Sequence, residues 1–102
     1  MFKIQANPTI DAKLTLTGQG REQVLELTFK HLTRSGYLQL VNDVREEKLK
    51  PEDALASVIE KWNADMAVSI EAIKALDEHQ PGALMAIINA YGDALVVSRK
   101  GN

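Results

Sequence analysis

Apolar residues in this chain change their spacing near Thr33, from every second position to every third or fourth. In the first third, Ala12, Leu14 and Leu16 alternate with Lys13, Thr15 and Thr17 until Gly18-Gln19-Gly20 interrupts the run. A second alternating run sets Leu25, Leu27 and Phe29 against Glu26, Thr28 and Lys30. Alternation places successive side chains on opposite faces of a strand. Two such runs around a short Gly-rich turn therefore predict an antiparallel hairpin. Phe2 and Ile4 offer a third, short strand ahead of a turn at Asn7-Pro8. A hairpin alone is marginal in water, so its Leu/Phe face must rest on helices.

Beyond Thr33 the spacing is helical. Thr33 or Ser35 can cap a segment in which Tyr37, Leu40, Val41 and Val44 share a face, before the charged end Arg45-Glu46-Glu47-Lys48. Pro51 suits a first helical turn, where the helix dipole favours Glu52 and Asp53. Leu55, Val58, Ile59 and Trp62 then fall at i, i+3, i+4 and i+7, which predicts a helix reaching Trp62. Ser69 caps a third helix carrying Ile70, Ile73 and Leu76, with Val68 placed to staple onto Ile73. Gln80-Pro81 ends that helix and starts a fourth, because the residue before proline avoids the α region. The expected fold class is α+β. A single domain of residues 1–102 packs an N-terminal antiparallel β-hairpin, joined by a third short strand, on four C-terminal helices.

The fourth helix, expected over residues 81–97, is the most apolar segment. At about 100° per residue, Leu84, Ile87, Ile88, Tyr91 and Leu95 form one broad stripe. Ala83, Ala86, Ala90, Ala94 and Val97 form an adjacent stripe of mostly small side chains, leaving Met85, Asn89, Gly92, Asp93 and Val96 for the third face. Such a helix is either central or needs a partner for what its own domain leaves uncovered. The pattern predicts a partner-binding surface at Met85, Asn89 and Val96, with Ala86 and Ala90 permitting close approach of another helix. Self-association is a competing use of the same surface, and exposed hairpin edges can also pair between copies.

Composition narrows the chemistry. The 102 residues carry 12 basic and 14 acidic side chains, a net charge of -2, with no basic run suited to nucleic acid. Charge is uneven along the chain, +2 over residues 1–36 and -4 over the remainder, which a solvated helical surface accounts for. With no cysteine there is no disulfide, thiol chemistry or Cys-based zinc site. The start Met1-Phe2-Lys3-Ile4-Gln5 lacks the pattern of a secretory signal. The last helix, with Asn89 and Asp93, is too short and too polar for a membrane span. A soluble cytosolic protein is expected.

No cofactor or metal is expected either. His31 and His79 are the only histidines and belong to no HxxxH or HExxH pattern. Glu46-Glu47 and Glu52-Asp53 sit in segments of mixed charge, where solvated helix ends explain paired acids. Gly18-Gln19-Gly20 lacks the rest of a dinucleotide fingerprint and reads as a reverse turn. Ser35, Ser57, Ser69 and Ser98 have no nucleophile-elbow context. Trp62 and Tyr91 lie on apolar stripes and read as core anchors, while Met66 and Met85 are suited to filling gaps or adapting to partner surfaces.

Several strings taken in order carry a family resemblance. They are Phe2-Lys3-Ile4, Asn7-Pro8-Thr9, Thr28-Phe29-Lys30 and Val58-Ile59-Glu60-Lys61-Trp62, then Ser69 through Leu76, Gln80-Pro81-Gly82-Ala83, Ala90-Tyr91 and Arg99-Lys100-Gly101-Asn102. Together they resemble the tail assembly chaperones of long-tailed, siphovirus-type bacteriophages and prophages. One departure is Lys61, where this family often has Gly before the tryptophan. The resemblance implies a non-enzymatic role in the bacterial host cytoplasm: binding the tape measure protein, helping recruit tail tube subunits, and absence from the mature virion. It also implies a longer form made by ribosomal frameshifting, whose extension engages the tube protein. A structural phage component, such as a tail completion or head-tail joining protein, is the alternative. A small transcriptional regulator or antitoxin fits less well, since no basic recognition element is present.

Overall fold

The computed structural model describes residues 1–101. Strands β1 (Thr9–Gly18) and β2 (Arg21–Lys30) form the expected hairpin, paired from Thr9↔Lys30 to Gly18↔Arg21. Gln19 and Gly20 make the two-residue loop with φ of 54° and 79°. Two consecutive positive φ values give the turn whose twist matches that of the flanking strands. Ile10, Ala12, Leu14 and Leu16 on β1 and Leu25, Leu27 and Phe29 on β2 face inward, as the alternation requires. Thr28 is also buried, and its hydroxyl donates to Asp11 Oδ1 at 2.9 Å across the hairpin.

Helix α1 (Arg34–Arg45) is capped by Thr33, whose Oγ1 accepts from the Gly36 N–H at 3.1 Å. Helix α2 (Pro51–Val58) opens with its proline, followed by Glu52 and Asp53. It ends earlier than the spacing of Leu55, Val58, Ile59 and Trp62 predicts, because Ile59 is already extended and begins strand β3 (Ile59–Trp62). Strand β3 pairs antiparallel with β2, matching Leu27↔Trp62, Thr28↔Lys61 and Phe29↔Ile59.

The register shifts between Thr28 and Phe29, and this irregularity lets Ile59 and Trp62 both join the core from one short strand. A spacing of three, read as helical, thus arises here from a bulged strand of β-branched and aromatic residues. This is also where the third strand lies. Phe2 and Ile4, the sequence candidates for it, are in no strand, and their side chains are 88% and 92% exposed. The sheet order is β1-β2-β3.

Helix α3 (Ile70–His79) is capped by Ser69, whose Oγ accepts from the Ala72 N–H at 3.0 Å. Helix α4 (Ala83–Leu95) is shorter than the expected 81–97. Pro81 and Gly82 form the turn before it, Gly82 taking a left-handed conformation at φ 98°, and Val96 is extended. Leu27, Phe29, Leu55, Val58, Ile59, Ile73, Ile87 and Tyr91 form the buried core. The helices cover the inner face of the sheet, with α4 lying against β1 and α3.

Candidate partner-binding groove

Helices α1, α2 and α4 enclose an open groove of about 300 Å³. Tyr37, Leu40, Val41 and Val44 of α1 form one wall, Ala54, Leu55 and Val58 of α2 another, and Ile88 and Tyr91 of α4 the third. Pro51 and the stem of Arg45 close one end, and the Arg45 guanidinium donates to Asn42 Oδ1. Nearly every lining group is apolar. Val41 at the rim is 40% exposed, and Leu38, also on α1, is exposed as well. An open apolar groove on a small domain is poorly solvated and suits the apolar face of another protein segment.

The groove floor is anchored by one hydrogen bond and two ring contacts of Tyr91. The Tyr91 hydroxyl donates to the Lys30 carbonyl at 2.8 Å, and its ring lies 4.9 Å from that of Phe29 and 6.1 Å from that of Tyr37. Burial, reinforced by the neighbouring Tyr37 hydroxyl, pushes the Tyr91 phenol up to about 12 from its ordinary 10.0. Tyr91 is therefore a neutral anchor at physiological pH, donating rather than ionising. Gly92 sits where α4 meets α1: a Cβ there would stand 3.3 Å from the Tyr37 hydroxyl oxygen.

The residues singled out by sequence fall in different places. Met85 is 59% exposed and lies one turn before Ile88, outside the lining of the groove. Asn89 is exposed beyond it. Ala86 and Ala90 are half-buried on the opposite flank, and Ala86 lines a cleft with Thr15, Leu16, Thr17 and Gly18 of the hairpin. The small-residue stripe thus already has a neighbour in β1. Val96, 72% exposed, follows the end of α4 and does not extend its third face.

The groove itself escapes sequence reading because its α1 wall carries the pattern of an ordinary core face. Tyr37 and Leu40 do pack against the core. Val44 lies on that same stripe, but Val41 widens it and stays 40% exposed, and this apolar width beyond what the core contact covers is the signal present in the sequence.

Two further cavities lie elsewhere. One of about 590 Å³ lies between the hairpin tip and α3, and one of about 540 Å³ lies beside Lys61 and Trp62 on the sheet. His31 and His79 occupy different elements: the His31 backbone N–H donates to Pro8 O, and the His79 carbonyl accepts from Gln19 Nε2 at 2.8 Å. Among the described residues no group of three or more His, Cys, Asp or Glu is arranged to hold a metal ion. No described helix is long and apolar enough to cross a membrane.

No curated protein and no solved structure shows significant similarity to this chain. A family model described as phage tail assembly chaperone matches residues 1–102, and the ordered strings noted in the sequence run over that same span. The chain belongs to the phage tail assembly chaperone family.

Proposed function

We propose that this protein shields an apolar helical segment of the tape measure protein during tail assembly, without making or breaking bonds in its client. The apolar groove between α1, α2 and α4 is the observation that carries this reading. A long, largely helical client exposes apolar stripes before its tube forms around it, and a groove walled by three helices takes such a stripe in the helix-in-groove mode. Met85 and Asn89 extend the docking surface along α4, and Val96 adds an apolar side chain beyond the helix end. Ala86 and Ala90 contribute only the part of their flank that the hairpin leaves open.

In this reading the chaperone acts in the host cytoplasm and leaves before the particle is complete. Recruitment of tail tube subunits is the task of a frameshifted longer form carrying the same groove. The test is co-expression with the tape measure protein and pull-down of Val41→Asp and Met85→Asp variants. A charge at the groove rim should abolish capture in Val41→Asp and weaken it in Met85→Asp, with both variants melting as the parent does. Full capture by folded Val41→Asp would remove the groove from the mechanism.

A further inference from the structure

The sheet has an open slot beside β2. Strand β3 covers β2 only at Leu27, Thr28 and Phe29, after which Asn63 takes over: its backbone N–H donates to Glu26 O at 3.1 Å and its Oδ1 accepts from the Glu26 N–H at 2.9 Å. The chain then turns away, held by Trp62 Nε1 donating to Met66 O at 2.6 Å. Because antiparallel pairing alternates along a strand, the backbone groups of Val24 and Glu22 point the same way as those of Glu26, into the space beyond Asn63. That space is the cavity of about 590 Å³, with Leu16, Leu25 and Trp62 on the sheet side and Ala72, Ala75 and Leu76 of α3 facing them. It has the shape of a missing strand position, roofed by a helix.

We infer that the segment Met1–Gln5 of a second copy of this chain fills this slot as an added strand. Phe2 and Ile4 alternate with Lys3 and Gln5, the pattern of a half-buried strand, yet within their own chain they are almost fully exposed and unpaired with any strand. Placed antiparallel to β2 just past Asn63, with Lys3 opposite Glu22, the segment turns Phe2 and Ile4 toward the α3 roof. It also turns Lys3 outward beside the Glu22 carboxylate, an opposite-charge cross-strand pair.

The same chain cannot supply the segment. Ile4 would lie near Arg21, while Thr9 pairs with Lys30 at the far end of the hairpin, about 30 Å away at the rise of a strand. The five steps from Ile4 to Thr9 span at most about 18 Å. Only another molecule reaches. Because the donated segment and the accepting slot are different surfaces, the contact either is exchanged reciprocally in a dimer or repeats head to tail.

Sedimentation velocity of the full chain over a wide concentration range tests this. The parent should associate reversibly, and the Phe2→Asp/Ile4→Asp double variant should associate roughly tenfold more weakly or worse. At concentrations where the parent is monomeric, its far-UV circular dichroism and melting should match the parent's, since neither side chain packs on its own domain. Val24→Pro, which removes a slot-facing N–H, should have the same effect from the accepting side. A peptide of residues 1–6 added in excess should dissociate the parent. A parent that stays monomeric throughout, or a double variant that associates as the parent does, overturns the proposal; if Val24→Pro does not fold, the double variant and the peptide decide it.

Discussion

Tyr91 and Lys30 are joined across 61 positions of sequence by one hydrogen bond, the phenol donating to the backbone carbonyl at 2.8 Å. This bond ties the last helix to the end of β2 and sets the groove floor. Tyr91→Phe keeps the ring contacts with Phe29 and Tyr37 and removes only the donor. The loss is expected to cost about 1 kcal/mol at neutral pH, measured by denaturant unfolding.

The same residue gives a pH dependence with a definite sign. Its folded-state pKa stands near 12 against an ordinary 10.0, so the unfolded chain releases the phenol proton first as pH rises. Tyr91's contribution is complete below pH 10 and is lost as pH climbs toward 12. The stability gap between parent and Tyr91→Phe should therefore narrow over that interval. A gap that widens with pH contradicts the burial argument.

Asn63 bonds both backbone groups of Glu26 where β3 stops, its backbone N–H donating to the carbonyl and its side-chain Oδ1 accepting from the N–H. Asn63→Ala deletes one of these bonds and frees the loop to move off the sheet. A loss of about 1 kcal/mol is expected, with faster amide exchange at Glu26 as the specific sign. Unchanged exchange at Glu26 would show that the backbone bond alone holds the end of β3.

Ser69 holds the start of α3 through its bond to the Ala72 N–H. Ser69→Ala should lower stability by about 1 kcal/mol and Ser69→Asp should retain it, as thermal melting can compare.

Ile87 is fully buried among the sheet and helices, so Ile87→Ala leaves a cavity as well as lost transfer energy. A cost of about 2–5 kcal/mol is expected, far more than for Met85→Ala on the exposed side of the same helix. Equal costs would mean that α4 is not seated on the sheet through Ile87.

On the functional side, mass spectrometry of purified virions should find no peptides of this chain, while lysates from the assembly period should contain it. Its recovery from finished particles at a fixed ratio to tube subunits would instead indicate a structural component.

The amino-acid order determines the hairpin, because strict alternation through Leu14, Leu16, Leu25 and Leu27 leaves one register that buries the apolar set, and Gln19-Gly20 supplies the turn. It also determines the helix starts, since Thr33, Pro51 and Ser69 act on backbone groups within three residues. The third strand was decided only by folding. Ile59 and Trp62 are three apart, a spacing common to a helical face and a bulged strand, and the free edge of β2 at Leu27 to Phe29 resolves the ambiguity through hydrogen bonds that no local pattern encodes. The same holds for the surfaces. The sequence marks α4 as too apolar for solvent, but which side is covered depends on where β1 and α1 lie, so the small-residue flank of Ala86 meets the hairpin while Ile88 faces an open groove. Burial is a property of neighbours distant in sequence, and those neighbours are set by the packed arrangement rather than by periodicity along the chain.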